Sequence, residues 1–200
     1  MMAGGEDKGW DQLSGHDPDD VCKRGLVSFD RVTNSYIIKS FNWDFNFYAK
    51  DRTITCDRPE GDALLKRLGD FYRLSSLWYL NAAKDIALTG QLAMPQNLTG
   101  GELFFRGSHV LPLARLAVKY ESNKDGFLSS GIDVLGGSAA AYGDAAVVLY
   151  PYPKIPVTLI LWLTDDEFPA RAECLLDTSC EFHLPIDIVW MTAMMCILLM

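Results

Sequence analysis

The amino-acid sequence predicts an α+β fold, a mostly antiparallel sheet packed by three or four helices, and three observations carry that prediction. Two apolar runs, Ala145–Tyr150 and Val157–Leu163, flank a loop with Pro151, Pro153 and Pro156. Runs of this length, rich in Val, Ile and Leu, fit strands buried on both faces, and prolines that cannot donate to a ladder place the break between them. Residues 26–55 then show an apolar period of two, and from Asp62 the period lengthens to that of a helix.

In chain order, residues 1–9 are small and charged and are expected to form a disordered tail, with one globular domain over 10–200. Asp17 can cap a short helix with Pro18 at its first position and acids in its first turn, facing Cys22 inward from its end. A meander follows: Leu26–Phe29, Tyr36–Phe41, Phe45–Ala49 and Thr53–Thr55, with turns at Thr33–Ser35 and Asp51-Arg52. Leu64, Leu68, Phe71, Trp78 and Ala82 share one stripe of a long helix over about 62–83, weakened at Gly69 by roughly 1 kcal/mol relative to Ala. Ala83–Gly101 is a long connection of the kind that serves as a binding loop or a plain linker. Pro112 suits the start of a second helix buried along Leu113, Leu116, Ala117 and Tyr120. Phe127, Leu128 and Ile132 suggest a third helix, ended by Gly136-Gly137. After the central hairpin, Ala170, Ala172, Cys174 and Leu176 point inward from a strand, with Arg171, Glu173 and Asp177 outward. A last helix follows Pro185 and is apolar nearly all round, so its docking site must be apolar too. Whether the two β regions join in one sheet is open at this level.

Composition narrows the partners. The formal charge of −8 disfavours nucleic acid and anionic membrane, both of which need basic patches, and suits a cytoplasmic protein kept in solution by its charge. Five cysteines, none in CxxC spacing, argue against a disulfide scaffold and provide no intrinsic iron–sulfur motif. The thirteen residues Ile188–Met200 fall short of the roughly twenty needed to span a bilayer, so they read as a buried helix and not a transmembrane span. The N-terminal residues have no apolar h-region of a secretory signal.

The residues that could carry chemistry are few. Asp165, Asp166 and Glu167 follow the second apolar run, and neighbouring carboxylates at a strand end can hold a divalent metal or act as a base, or simply form a solvated turn. Asp144 opens the first run, and the outer ends of an antiparallel hairpin are adjacent, so Asp144 and Glu167 can share a cation site, with Trp162 beside them. The metal candidates are therefore Asp144, Asp166, Glu167 and His109. Lys84 and Asp85, at the end of the long helix, and His109, before the second helix, are ligand-binding candidates with Asp144 and Trp162, although each also has a structural role open to it. No phosphate-loop motif and no local Cys–His signature is complete.

The ordered runs LWYLNAAKDIALTG (77–90), NLTGGELFFRGSHVLP (97–112), LGG…YGDAA (135–146), YPKIPVTLILWLTDDEFPARAECLLD (152–177) and HLP (183–185) resemble an uncharacterised prokaryotic family, the domain-of-unknown-function family 3786, over about residues 20–200. The resemblance implies a setting in anaerobic metabolism and, from members with an N-terminal four-cysteine iron–sulfur domain, a corrinoid or redox protein as partner. This chain lacks those cysteines, so any cluster would belong to the partner. The family supplies no catalytic residue to carry over; Lys84, Asp85, His109, Asp144, Asp166 and Glu167 are the polar positions that match its motifs. Three functions are compatible with these readings: an accessory or ligand-binding module, a metal-dependent enzyme with its acidic and histidine site at the hairpin end, and a structural subunit docking through the apolar C-terminal helix.

Overall fold

The computed structural model describes residues 3–200 and is α+β, with two antiparallel sheets. Part of the stretch expected as a disordered tail falls on α1 (Ala3–Ser14), and residues 1 and 2 lie outside the described residues. Trp10 and Leu13 bury the inner face of α1, and the backbone at Gly9 comes so close to Leu77 that an added Cβ would stand 3.1 Å from its side chain. Helix α2 (Pro18–Gly25) starts as its residues require: Asp17 accepts from the Asp19 amide and Pro18 opens the first turn. Val21 and Gly25 are buried in this helix, whereas Cys22 is only half-buried.

Strands β1 (Ser28–Asp30), β2 (Ser35–Ser40), β3 (Trp43–Tyr48) and β4 (Thr53–Cys56) form a meander in sequence order. Its register sets Ile38 opposite Phe45 and Phe45 opposite Cys56, so Tyr36, Ile38, Phe45 and Phe47 face the core. The long helix expected over 62–83 is two helices, α3 (Pro59–Leu68) and α4 (Asp70–Ala82). Gly69 separates them at φ 52°, ψ −124°, a conformation that glycine reaches and other residues avoid. The apolar stripe continues across the break, which is why the periodicity conceals it.

The second sheet runs β5-β9-β8-β7-β6, in which β5 is Leu92–Ala93, β6 Ser138–Ala140, β7 Ala145–Tyr152, β8 Ile155–Trp162 and β9 Arg171–Asp177. The expected proline loop shrinks to the two residues between Tyr152 and Ile155. Pro151 lies at a register shift in β7, where the ladder has no need of its missing N–H, and the neighbouring Tyr150 carbonyl accepts from the Phe41 amide at 2.8 Å, which joins the two sheets. Among the described residues there are nine α-helices, more than expected, because short turns such as α5 (Gly101–Phe104) carry no long periodicity. Helices α6 (Leu113–Lys119) and α7 (Lys124–Ser129) occupy the two later expected positions, and α8 (Cys180–His183) leads into α9 (Ile186–Leu199). Helix α9 packs on α4 and β7 and buries Ile188, Val189, Thr192, Ala193, Met195, Cys196 and Ile197. At the centre the Tyr152 hydroxyl meets Ser75 Oγ at 2.6 Å and Ser76 Oγ at 3.1 Å while its ring stacks on Tyr79, so one polar network ties α4 to the hairpin.

Candidate functional site

The sequence candidates separate into three places. The first is the exit of the hairpin. Ala145 pairs with Leu161, so Asp144 stands beside the chain leaving β8, and its Oδ2 accepts from the Leu163 amide at 2.8 Å. Asp165 Oδ1 accepts from the amides of Glu167 (2.8 Å) and Phe168 (2.7 Å), which makes the acidic stretch an aspartate-closed turn. The Arg171 guanidinium lies 3.8 Å over the Trp162 ring and pairs with Glu173. Asp144, Trp162, Asp165, Phe168 and Arg171 line a depression of about 520 Å³. Asp144 and Trp162 both line this depression, but Glu167, which the hairpin argument expected to meet Asp144, is exposed and lines no part of it, and the same holds for Asp166. His109 lies in a different cavity, and among the described residues no three His, Cys, Asp or Glu side chains are grouped to hold a metal.

The second place surrounds Lys84 and Asp85, whose side chains are exposed and whose backbone is gripped. Arg24 Nη1 donates to the Ala83 carbonyl at 3.1 Å, Lys154 Nζ donates to the Lys84 carbonyl at 2.7 Å, and His183 Nδ1 accepts the Lys84 N–H at 3.0 Å. Asp85 pairs with Lys23 at 2.9 Å and lies 3.9 Å from Lys154 Nζ. Because Nδ1 accepts, neutral His183 carries its proton on Nε2, which is buried without a partner. Burial, helped by the Lys154 charge, pushes the His183 imidazole down to about 4. Asp177, expected to face outward, is buried and accepts from Thr89 N, Thr89 Oγ1, Gly90 N and Ser179 N at 2.7 to 3.0 Å. Burial alone would raise this carboxyl, but the hydrogen bonds from Ser179 and Thr89 outweigh it and hold it at about 2. Lys154, His183 and Asp177 therefore shape the segment after α4. The only trace of this in the sequence is that Lys154 and His183 interrupt otherwise apolar motifs.

The third place is a groove along α9. Asp187, Trp190, Met191 and Leu198 fall on one stripe of that helix, and Arg67 and Leu68 of α3, Asp70 and Phe71 of α4, Phe104 of α5 and His109 complete a cavity of about 640 Å³. Trp190 is its hub, with ring centroids 5.2 Å from His109, 5.6 Å from Phe71 and 6.4 Å from Phe104, while Phe104 and His109 lie 4.3 Å apart. The break at Gly69 positions two walls at once, since Leu68 ends one helix and Asp70 and Phe71 begin the next. The Trp190 indole N–H is buried without an acceptor, and Arg67 donates to the Leu198 carbonyl at the end of α9. Of the sequence candidates only His109 is here. Phe71 and Trp190 read in the sequence as members of apolar helix faces, and only the packing of three helices turns them into a wall.

No curated protein and no solved structure matches the chain. The family model for a domain of unknown function (DUF3786) matches residues 17–198, from the cap of α2 to the last turn of α9, so all the residues named in the three places lie inside it. The chain belongs to this DUF3786 family.

Proposed function

We propose that the protein is a ligand-binding module whose site is the aromatic-walled groove along α9. The observation that carries this reading is the groove itself: about 640 Å³ falls within the roughly 300–1,000 Å³ of small-molecule sites, and its lining is mainly aromatic and aliphatic with a few polar side chains at the rim. The carboxylates of Asp144 and Asp165 are engaged by backbone amides, which gives the hairpin exit an architectural role. Burial pushes the Cys174 and Cys180 thiols up to about 12 and the Cys196 thiol well above its ordinary value, so these cysteines are inert as nucleophiles at neutral pH. The binding reading therefore rests on the shape and lining of the groove.

The test uses benzyl alcohol as a neutral aromatic probe in ligand-observed NMR. Binding is expected to the unmodified protein and to be lost in Met191→Trp, which fills the groove, with both proteins folded by circular dichroism. Equal binding to both would remove the groove from consideration. The broader role, an accessory module beside a redox or corrinoid partner in anaerobic metabolism, is proposed on the family resemblance. Anaerobic purification with an absorption spectrum of the isolated complex tests it, and recovery of the protein alone and colourless would count against it.

A further inference from the structure

The charges around the groove suggest what kind of ligand it selects, an inference that rests on the binding reading above. Arg67, its one arginine, donates to the Leu198 carbonyl, so its charge answers the C-terminal end of α9. Asp70 and Asp187 are exposed at the rim and take part in no ion pair among the described residues; one Asp187 oxygen accepts from the Ile188 amide at 3.0 Å, and the other is uncommitted to an ion pair. Both lie in the first turn of their helices, α4 and α9, whose N-termini offset about half a charge each. The carboxylates still leave the mouth negative, on a chain whose formal charge is already −8. The lining also holds Phe71, Phe104 and Trp190, rings of the kind whose faces are the negative ends of their quadrupoles. An anion would meet two carboxylates. A neutral ligand would gain nothing from the two carboxylates.

We propose that the groove selects an organic cation, an alkylated ammonium group seated against the Trp190, Phe71 and Phe104 rings and facing Asp70 and Asp187. An alkylated ammonium is weakly hydrated, so it gives up little on leaving water and gains from both rings and carboxylates.

The experiment titrates the full chain with three probes of the same shape by calorimetry: choline, the neutral 3,3-dimethyl-1-butanol and the anionic 3,3-dimethylbutanoate. Choline is expected to bind about tenfold more tightly than the neutral probe, in line with a cation–π and carboxylate contribution, and the anion least tightly. Asp70→Asn with Asp187→Asn should bring choline down to the level of the neutral probe without changing the latter. If the double variant fails to fold, salt dependence on the unmodified protein takes its place: choline binding should weaken with ionic strength and neutral binding should not. Neutral binding equal to or tighter than choline would overturn the selectivity and leave the groove as a neutral apolar site. No binding of any of the three, together with no binding of benzyl alcohol, would overturn the site itself.

Discussion

His183 and Asp177 are buried and both depart from their ordinary acidity, and each makes stability depend on pH in its own window. His183 takes up its second proton, becoming charged, only below about 4, against an ordinary value of 6.5, so the unfolded chain protonates first as pH falls. Its share of stability is complete above pH 6.5 and is lost on the way down to about 4, by about 3 kcal/mol. The Asp177 carboxyl lies at about 2 against an ordinary 3.8, so its share is present above 3.8 and is lost as pH falls towards 2. Urea unfolding between pH 7 and 4 should therefore show a loss of stability that His183→Gln flattens. An unchanged slope in the variant would mean that His183 is not held neutral. Asp177→Asn, which keeps one acceptor oxygen for four donors, should cost about 2 kcal/mol and speed amide exchange at Thr89 and Gly90. Exchange as slow as in the unmodified protein would show that something else holds the segment.

At the scale of elements, Gly69 separates two accounts of the same residues. In one continuous helix, Gly69→Ala would stabilise by about 1 kcal/mol. With α3 and α4 broken at φ 52°, ψ −124°, it should destabilise by about 1–3 kcal/mol, and open space around the position means that backbone strain alone sets the cost. Thermal unfolding reads the sign directly. The same elements show what the sequence reveals and what it hides. The meander and the hairpin are legible because their apolar residues alternate or run together, and Asp17-Pro18 marks a helix start by local chemistry alone. The break at Gly69 is hidden because a one-residue interruption leaves the stripe of Leu64, Leu68 and Phe71 in phase. The inward turn of Asp177 is hidden because four hydrogen-bond donors, three of them from Thr89 and Gly90, outweigh the alternation of its own strand.

In the whole molecule the candidate residues spread over a hairpin exit, a gripped peptide and a groove. Hairpin geometry in the sequence puts Asp144 at the outer end of the hairpin but pairs it with Glu167, which lines no part of the depression there, and the sequence singles out His109. Phe71, Phe104 and Trp190 are not legible as a site, because each is an ordinary apolar residue until α4, α5 and α9 meet. The five tryptophans report on five different places: Trp10 in the core, Trp43 and Trp78 beside smaller depressions, Trp162 at the hairpin exit and Trp190 in the groove. The most direct test of the account is therefore a nitrogen–proton correlation spectrum of the five indole N–H signals, assigned by Trp→Phe variants and recorded with and without benzyl alcohol. The account predicts that the Trp190 signal moves and the other four stay in place. Movement of the Trp162 signal with Trp190 unchanged would contradict it and return the site to the hairpin exit.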